Sequence, residues 1–234
     1  PANLFAMQDE ITAKIASRIG DPYGEVNRAE YGNSDRKAPK FISSYDCILR
    51  YFEYLRALTN EHHKIARECL ESVIEIEPAY GEALAYLTDL YLDEVGIGFN
   101  PTTERAVEKA LQYARQAMSV DATNAQIRVR LARARYMNDN PRRARMEAEE
   151  ALRLAPNNSD VMTVATDVFA GIGAYERTTE VFNRVEILNP NYPAWLNWKV
   201  ALAHFVHEKY ADAVVRLEMT QTDWWYWTHV AIAS

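Results

Sequence analysis

The sequence predicts an all-α chain, a solenoid of stacked helical hairpins, and three observations carry that expectation. Glycine and proline are scarce, 8 and 9 in 234 residues, which disfavours a turn-dense β architecture and leaves long helices as the default. A helix-ending motif returns at a fixed period. Small residues return with it, in columns spaced so that they share one face of a helix.

The motif reads Ile74-Glu-Ile-Glu-Pro78-Ala-Tyr80, Leu152-Arg-Leu-Ala-Pro156-Asn-Asn158 and Ile187-Leu-Asn-Pro190-Asn-Tyr192. Val120-Asp-Ala122-Thr-Asn124 has the same shape with alanine in place of proline. Ala122 to Pro156 and Pro156 to Pro190 are each 34 residues, and Pro78 to Ala122 is 44, one period plus an insertion of ten between Asp93 and Arg105. Proline closes the helix because it lacks an N–H and pushes its predecessor out of the α region. Twelve residues before each mark stand Ala66, Ala110, Ala144 and Thr178; eight before, Leu70, Ala114, Ala148 and Phe182; five before, Val73, Ala117, Ala151 and Val185. Steps of four and three put these columns on one face, the stripe that packs against a neighbouring helix. Alanine there lets helix axes approach closely.

Taken in order, the chain opens with Leu4 to Ile19, an amphipathic helix with Phe5, Ile11, Ile15 and Ile19 on one face. Gly20-Asp-Pro-Tyr-Gly24 stops it and a polar linker follows, so residues 1–44 are expected to stand apart from an array over 45–234 of about five hairpins and a truncated sixth. In the third hairpin the first helix is expected over Ala125 to Met137, Asn138-Asp-Asn140 turns the chain, and the second helix runs over Pro141 to Leu154, with proline where the first turn tolerates it. Gly171-Ile-Gly173 is the turn of the fourth. Lys209-Tyr210-Ala-Asp-Ala213-Val-Val-Arg-Leu217 repeats the second-helix signature one residue late, and Trp224 to Ala233 has the pattern of a further first helix.

This 34-residue period, with Ala144, Ala148, Ala151 and Pro156 and with Leu131-Ala132 in the preceding helix, resembles the tetratricopeptide repeat over roughly residues 45–234. The resemblance implies a right-handed α-α superhelix whose first helices line a concave groove for extended or helical partner segments. The chain departs from the family at Arg128 and Arg135, where large apolar residues are usual, and at Thr178, which replaces an alanine. Leu4-Phe-Ala-Met-Gln-Asp-Glu-Ile11 is similar to the segment joining a TolB-like domain to tetratricopeptide arrays in bacterial signalling proteins, and Tyr91-Leu-Asp-Glu-Val-Gly-Ile-Gly-Phe-Asn-Pro101 looks like the same subfamily. That second resemblance implies a cytoplasmic regulatory module of a larger protein, with a winged-helix DNA-binding domain or a class III adenylate cyclase domain upstream. A start at Pro1 and an end at Ser234, inside a helix-like stretch, fit a piece of a longer polypeptide.

Composition narrows the chemistry. A formal charge of -7 argues against global attraction to nucleic acid or anionic lipid, and no run approaches the roughly 20 apolar residues that a membrane-spanning helix needs. Two cysteines cannot make a stapled scaffold or a four-cysteine zinc module; Cys47 and Cys69 are expected as small buried hydrophobes with free thiols. No phosphate loop, nucleophile elbow or HExxH string occurs, so no catalytic residue, cofactor or metal is expected. His204 and His207 alone have metal-like spacing, and two ligands do not make a zinc site. Glu61-His62-His63 is placed in a helix-helix turn, and Glu71, Glu75 and Glu77 on a solvated face.

Candidate binding residues come from repeat equivalence. Tyr86, Arg130, Val164 and Trp198 share one position in successive units; Asp89, Arg133, Asp167 and Ala201 share another. The candidate groove is therefore Tyr86, Asp89, Arg130, Arg133, Asp167, Asn197 and Trp198. Its two arginines suit an acidic residue of a protein or peptide partner, or of another domain of the same chain, because a guanidinium binds carboxylate bidentately. A plainer reading makes the arginines between Arg128 and Arg145 a solvated surface paired with Glu147, Glu149 and Glu150. Trp224, Trp225 and Trp227 either pack on Val214 and Leu217 or mediate a homodimer. The expected function is regulation through protein binding; the alternative is a small-molecule-sensing domain with its pocket at the Phe99-Asn-Pro101 insertion.

Overall fold

The computed structural model describes residues 43–220 and, ahead of them, Ile11, Thr12 and Ile15. The described array consists of helices and turns: α1 (Ser44–Ala57), α2 (Asn60–Ile76), α3 (Gly81–Gly96), α4 (Ala106–Val120), α5 (Ala125–Met137), α6 (Pro141–Leu154), α7 (Ser159–Gly171), α8 (Tyr175–Leu188), α9 (Trp195–Val206) and α10 (Tyr210–Glu218).

Five of these ten helix starts carry a side-chain cap. Ser43 and Asp46 form a reciprocal capping box at the start of α1. Thr59, Asn124, Asn140 and Asn158 accept backbone N–H groups at the starts of α2, α5, α6 and α7. The second helices α2, α4, α6 and α8 end at Ile76, Val120, Leu154 and Leu188, each two residues before its mark at Pro78, Ala122, Pro156 or Pro190. Four hairpin turns hold a residue at positive φ: Leu58, Asp139, Gly173 and Glu208. Only at Gly173 is that conformation free of side-chain strain.

All twelve column residues are at most 5% exposed, which makes the small-residue face the packing seam. The odd helices touch one another in sequence, α1 to α3 to α5 to α7 to α9, as an inner row. Each of α2, α4, α6 and α8 packs between its hairpin partner and the first helix of the next unit, as an outer row. One core joins the first two hairpins to the start of the third, through Tyr51, Tyr54, Leu87 and Leu131; a second runs from α5 to α9 through Val129, Phe169, Phe182 and Val200.

Several expectations are corrected. Cys47 and Cys69 are not free thiols: they are joined in a disulfide with Cα atoms 5.4 Å apart, because the antiparallel hairpin brings α1 and α2 face to face at that level. Glu61-His62-His63 lies in the first turn of α2, and His63 is buried, with a ring nitrogen 2.9 Å from the Leu90 carbonyl. Glu71 is not simply solvated; the Tyr91 hydroxyl donates to it, and Lys109 stands 3.8 Å away. The insertion is a strap. Arg67 meets Glu94 at 2.6 Å and donates to the Asn100 carbonyl, Thr102 donates to Glu94, and Phe99 packs edge-on to Tyr54. Phe99 and Asn100 are thus tied into the protein; neither they nor Pro101 line a cavity, although Ile97 borders one and Thr102, Thr103 and Arg105 another. Phe5, Ile19, Trp224, Trp225 and Trp227 lie outside the described residues. Ile11 and Ile15 are helical and exposed. Among the described residues no helix is long and apolar enough to cross a membrane.

Candidate binding site on the inner face

Stacking hairpins 34 or 44 residues apart brings equivalent positions of successive first helices into contact, so the charges at those positions meet. Arg130 is fully buried: its Nε lies 2.8 Å from Asp89 Oδ2, its Nη2 3.0 Å from Asp160 Oδ2, and its guanidinium over the Tyr86 ring. Arg133 reaches three carboxylates, Asp89 at 3.0 Å, Asp93 at 2.6 Å and Asp167 at 3.2 Å. Lys199 completes the ladder 2.9 Å from Asp167. From α1, the Tyr51 hydroxyl donates to Asp89 and the Tyr54 hydroxyl to Asp93. A single cluster therefore spans all five hairpins.

Its electrostatics are those of charges removed from water. Burial first, then the neighbouring Asp89, pushes the Tyr51 phenol well up, and burial with Asp93 does the same to Tyr54, so both remain O–H donors. Burial works against the charge of Asp167, but Lys199 and Arg133 outweigh it and hold the carboxyl below its usual range. Attraction to Asp167 raises Lys199 despite burial. Burial likewise opposes the charges of Arg130 and Arg133, yet Asp160 and Asp93 lead the groups that keep them cationic. Such a network is expensive to break, about 3–5 kcal/mol when one partner is removed, and it fixes which helices face one another.

Above the cluster lies a cavity of about 300 Å³. Its floor is Asp89, Asp93, Asp160, Asp167, Arg133 and Lys199. Leu55, Leu58, Ile97, Met137 and Val164 make an apolar rim, with Tyr136, Trp195 and Trp198 as aromatic walls. The lining draws on both the first and the fifth hairpin, so the inner row curves around it. Gly171 helps shape the wall: a Cβ there would lie 2.2 Å from Tyr136 Cζ, and glycine alone lets that ring cross the end of α7.

Of the seven candidate residues, Asp89, Arg133, Asp167 and Trp198 line this cavity. Tyr86, Arg130 and Asn197 do not line it and are buried. Asn197 accepts from Tyr192 at 3.1 Å and donates to the Met219 carbonyl, holding the end of α10. The expectation of two arginines awaiting a partner's acid is corrected: both guanidiniums already hold carboxylates of this chain. Arg128 and Arg135 share Glu147 at 2.6 and 3.3 Å, but with side chains only 20% and 21% exposed they are not a solvated surface; Arg142, Arg143 and Arg145 are exposed, and Glu149 and Glu150 hold Arg177 and Arg153. His204 and His207 are occupied by Tyr175, the first by a 3.0 Å hydrogen bond and the second by stacking. Among the described residues no group of three or more His, Cys, Asp or Glu is placed to hold a metal ion.

Sequence reasoning missed Tyr51, Tyr54, Asp93, Asp160 and Lys199. One signal was available: the signs alternate along one repeat position, Asp89, Arg133, Asp167, and residues so stacked neutralise one another before they meet a partner. Asp93 follows Asp89 by one helical turn, on the same face.

Fold and inner face together define a tetratricopeptide-like α-α solenoid. No family model matches the chain. A curated relative, the putative adenylate cyclase 3 of Rhizobium meliloti (strain 1021), is 30% identical over 135 residues, 56% of this chain and 22% of that one. The chain thus spans about a fifth of the length of the curated relative it matches. Among solved structures, the human IFIT1 dimer with m7Gppp-AAAA superposes with a TM-score of 0.66 at 18% identity, over 89% of this chain and 50% of that one. YrrB, a TPR protein with an unusual peptide-binding site, gives 0.46 at 13% identity over 88% and 96%.

Proposed function

We propose that this chain is a protein-interaction module of a larger bacterial signalling protein, and that it regulates that protein by docking a partner segment, or another domain of the same polypeptide, in the curve of its inner helices. One observation carries the reading: a cavity with apolar and aromatic walls over a fixed charged floor, lined by first helices from every hairpin. Helical solenoids present extended curved surfaces of this kind for binding. The similarity to a putative adenylate cyclase supports a signalling context, and control of a cyclase or transcription output is the specific form proposed. Trp224, Trp225 and Trp227 remain the proposed homodimer contact, and residues 1–44 the proposed lead-in to the array. The test is peptide capture by the chain against capture by Trp198→Leu. Docking requires loss of affinity with unchanged helix content; equal affinity removes this face as the site.

A second reading, a small-molecule-sensing domain, is favoured by the size of the cavity, which falls at the lower end of ligand pockets, about 300–1,000 Å³. Saturable thermal stabilisation by a metabolite, lost in Trp198→Leu, would select it over the first.

A further inference from the structure

We infer that the cavity takes the basic side chain, lysine or arginine, of the docked segment, with its charge at Asp160 and its stem along the Trp195 and Trp198 wall. This rests on the docking reading above and gives it a chemistry.

The first argument is charge complementarity. The four carboxylates Asp89, Asp93, Asp160 and Asp167 face only the three cations Arg130, Arg133 and Lys199, so the floor keeps one negative charge unbalanced in a place largely closed to water. A cation from outside restores the balance; an anion adds to the excess. The second argument is which carboxylate is left to do it. Asp89 holds two arginines and Tyr51, Asp93 holds Arg133 and Tyr54, and Asp167 holds Arg133 and Lys199. Asp160 gives Oδ2 to Arg130, its one hydrogen-bonded contact among the described residues, which leaves Oδ1 to the cavity that the residue lines. A buried carboxylate with an open oxygen is a strong acceptor for a charged N–H donor. The third argument is the wall: indole and phenol faces attract cations, and a lysine or arginine stem packs on apolar surface.

The test selects twelve-residue peptides from a random phage library against the intact chain and measures their affinities by calorimetry. Peptides that need Trp198 are expected to share one lysine or arginine, and changing it to norleucine should weaken binding by about tenfold or more. Asp160→Asn should weaken the basic peptide and erase the difference between lysine and norleucine, while Asp160→Glu keeps it. The peptide-side change decides the question even if Asp160→Asn does not fold. Groove-bound peptides without a basic residue, or a norleucine peptide that binds as tightly, overturn the inference and leave docking intact. Butylamine or butylguanidine displacing the peptide at equal concentration overturns it in favour of a free amine. If no peptide depends on Trp198, docking itself fails and this inference with it.

Discussion

Two sets of arginine–carboxylate pairs in this molecule have the same chemistry and opposite leverage. On the outer row Arg153 and Glu150 meet at 2.7 Å with side chains 69% and 37% exposed. Under the inner face Arg130 and Asp89 meet at 2.8 Å with side chains 0% and 4% exposed. Water and salt replace the outer pair when it opens, so it contributes little. Nothing replaces the inner one: each guanidinium would be left buried beside carboxylates of other hairpins, and the register of the stack would go with it. Position in the repeat, not residue type, decides whether an arginine is surface or architecture.

The comparison is broken most severely at its centre. Arg133→Met removes a cation shared by three carboxylates of α3 and α7 and leaves Asp93 with only the Tyr54 hydroxyl, so urea unfolding should show a loss of about 3–5 kcal/mol. Next comes the tether between the rows. Replacing Cys47 and Cys69 together by alanine releases a loop with a sequence separation of 22, and about 3 kcal/mol should be lost on the chain-entropy account. At the seam between rows, Ala148→Leu overpacks a fully buried position, and about 1–3 kcal/mol should go without loss of helix content by circular dichroism.

Acid gives a graded form of the same contrast. Burial lowers the imidazoles of His63 and His204 below their ordinary value, so their neutral forms stabilise the fold above about pH 6.5, and that stability is lost as pH falls below it. Asp167 is held below the usual carboxylate range by Lys199 and Arg133 despite burial; its contribution is present above about pH 4 and is lost as pH falls through its folded value. Thermal melts should therefore decline in two acid stages, the second smaller in Asp167→Asn. The smallest effect is at the outer pair: Arg153→Ala should leave the melting temperature unchanged within error.

Much of the fold was legible because repetition writes the same physics several times. Ala110, Ala144 and Ala148 show the seam, Pro156 and Pro190 end helices where the period requires, and the bounds of α5 and α6 follow from Asn124, Asn140 and Pro141. The candidate site was legible by position but not by state. Asp89, Arg133, Asp167 and Trp198 do line the cavity, yet reading Arg130 as a donor open to a partner overlooked that equivalent positions touch. The contributions of Tyr51, Tyr54 and Asp160 depend on contacts 30 to 39 residues distant, which no local pattern records. The Cys47–Cys69 bond escaped for the same reason: two cysteines in one hairpin are bonded or free according to the helix faces they occupy.

The central claim is that binding occurs on the inner row alone. Hydrogen–deuterium exchange with and without a selected peptide tests it directly. The account predicts added protection across α1, α3, α5, α7 and α9 and none on the exposed faces of α4, α6 and α8; protection centred on those outer helices would contradict it.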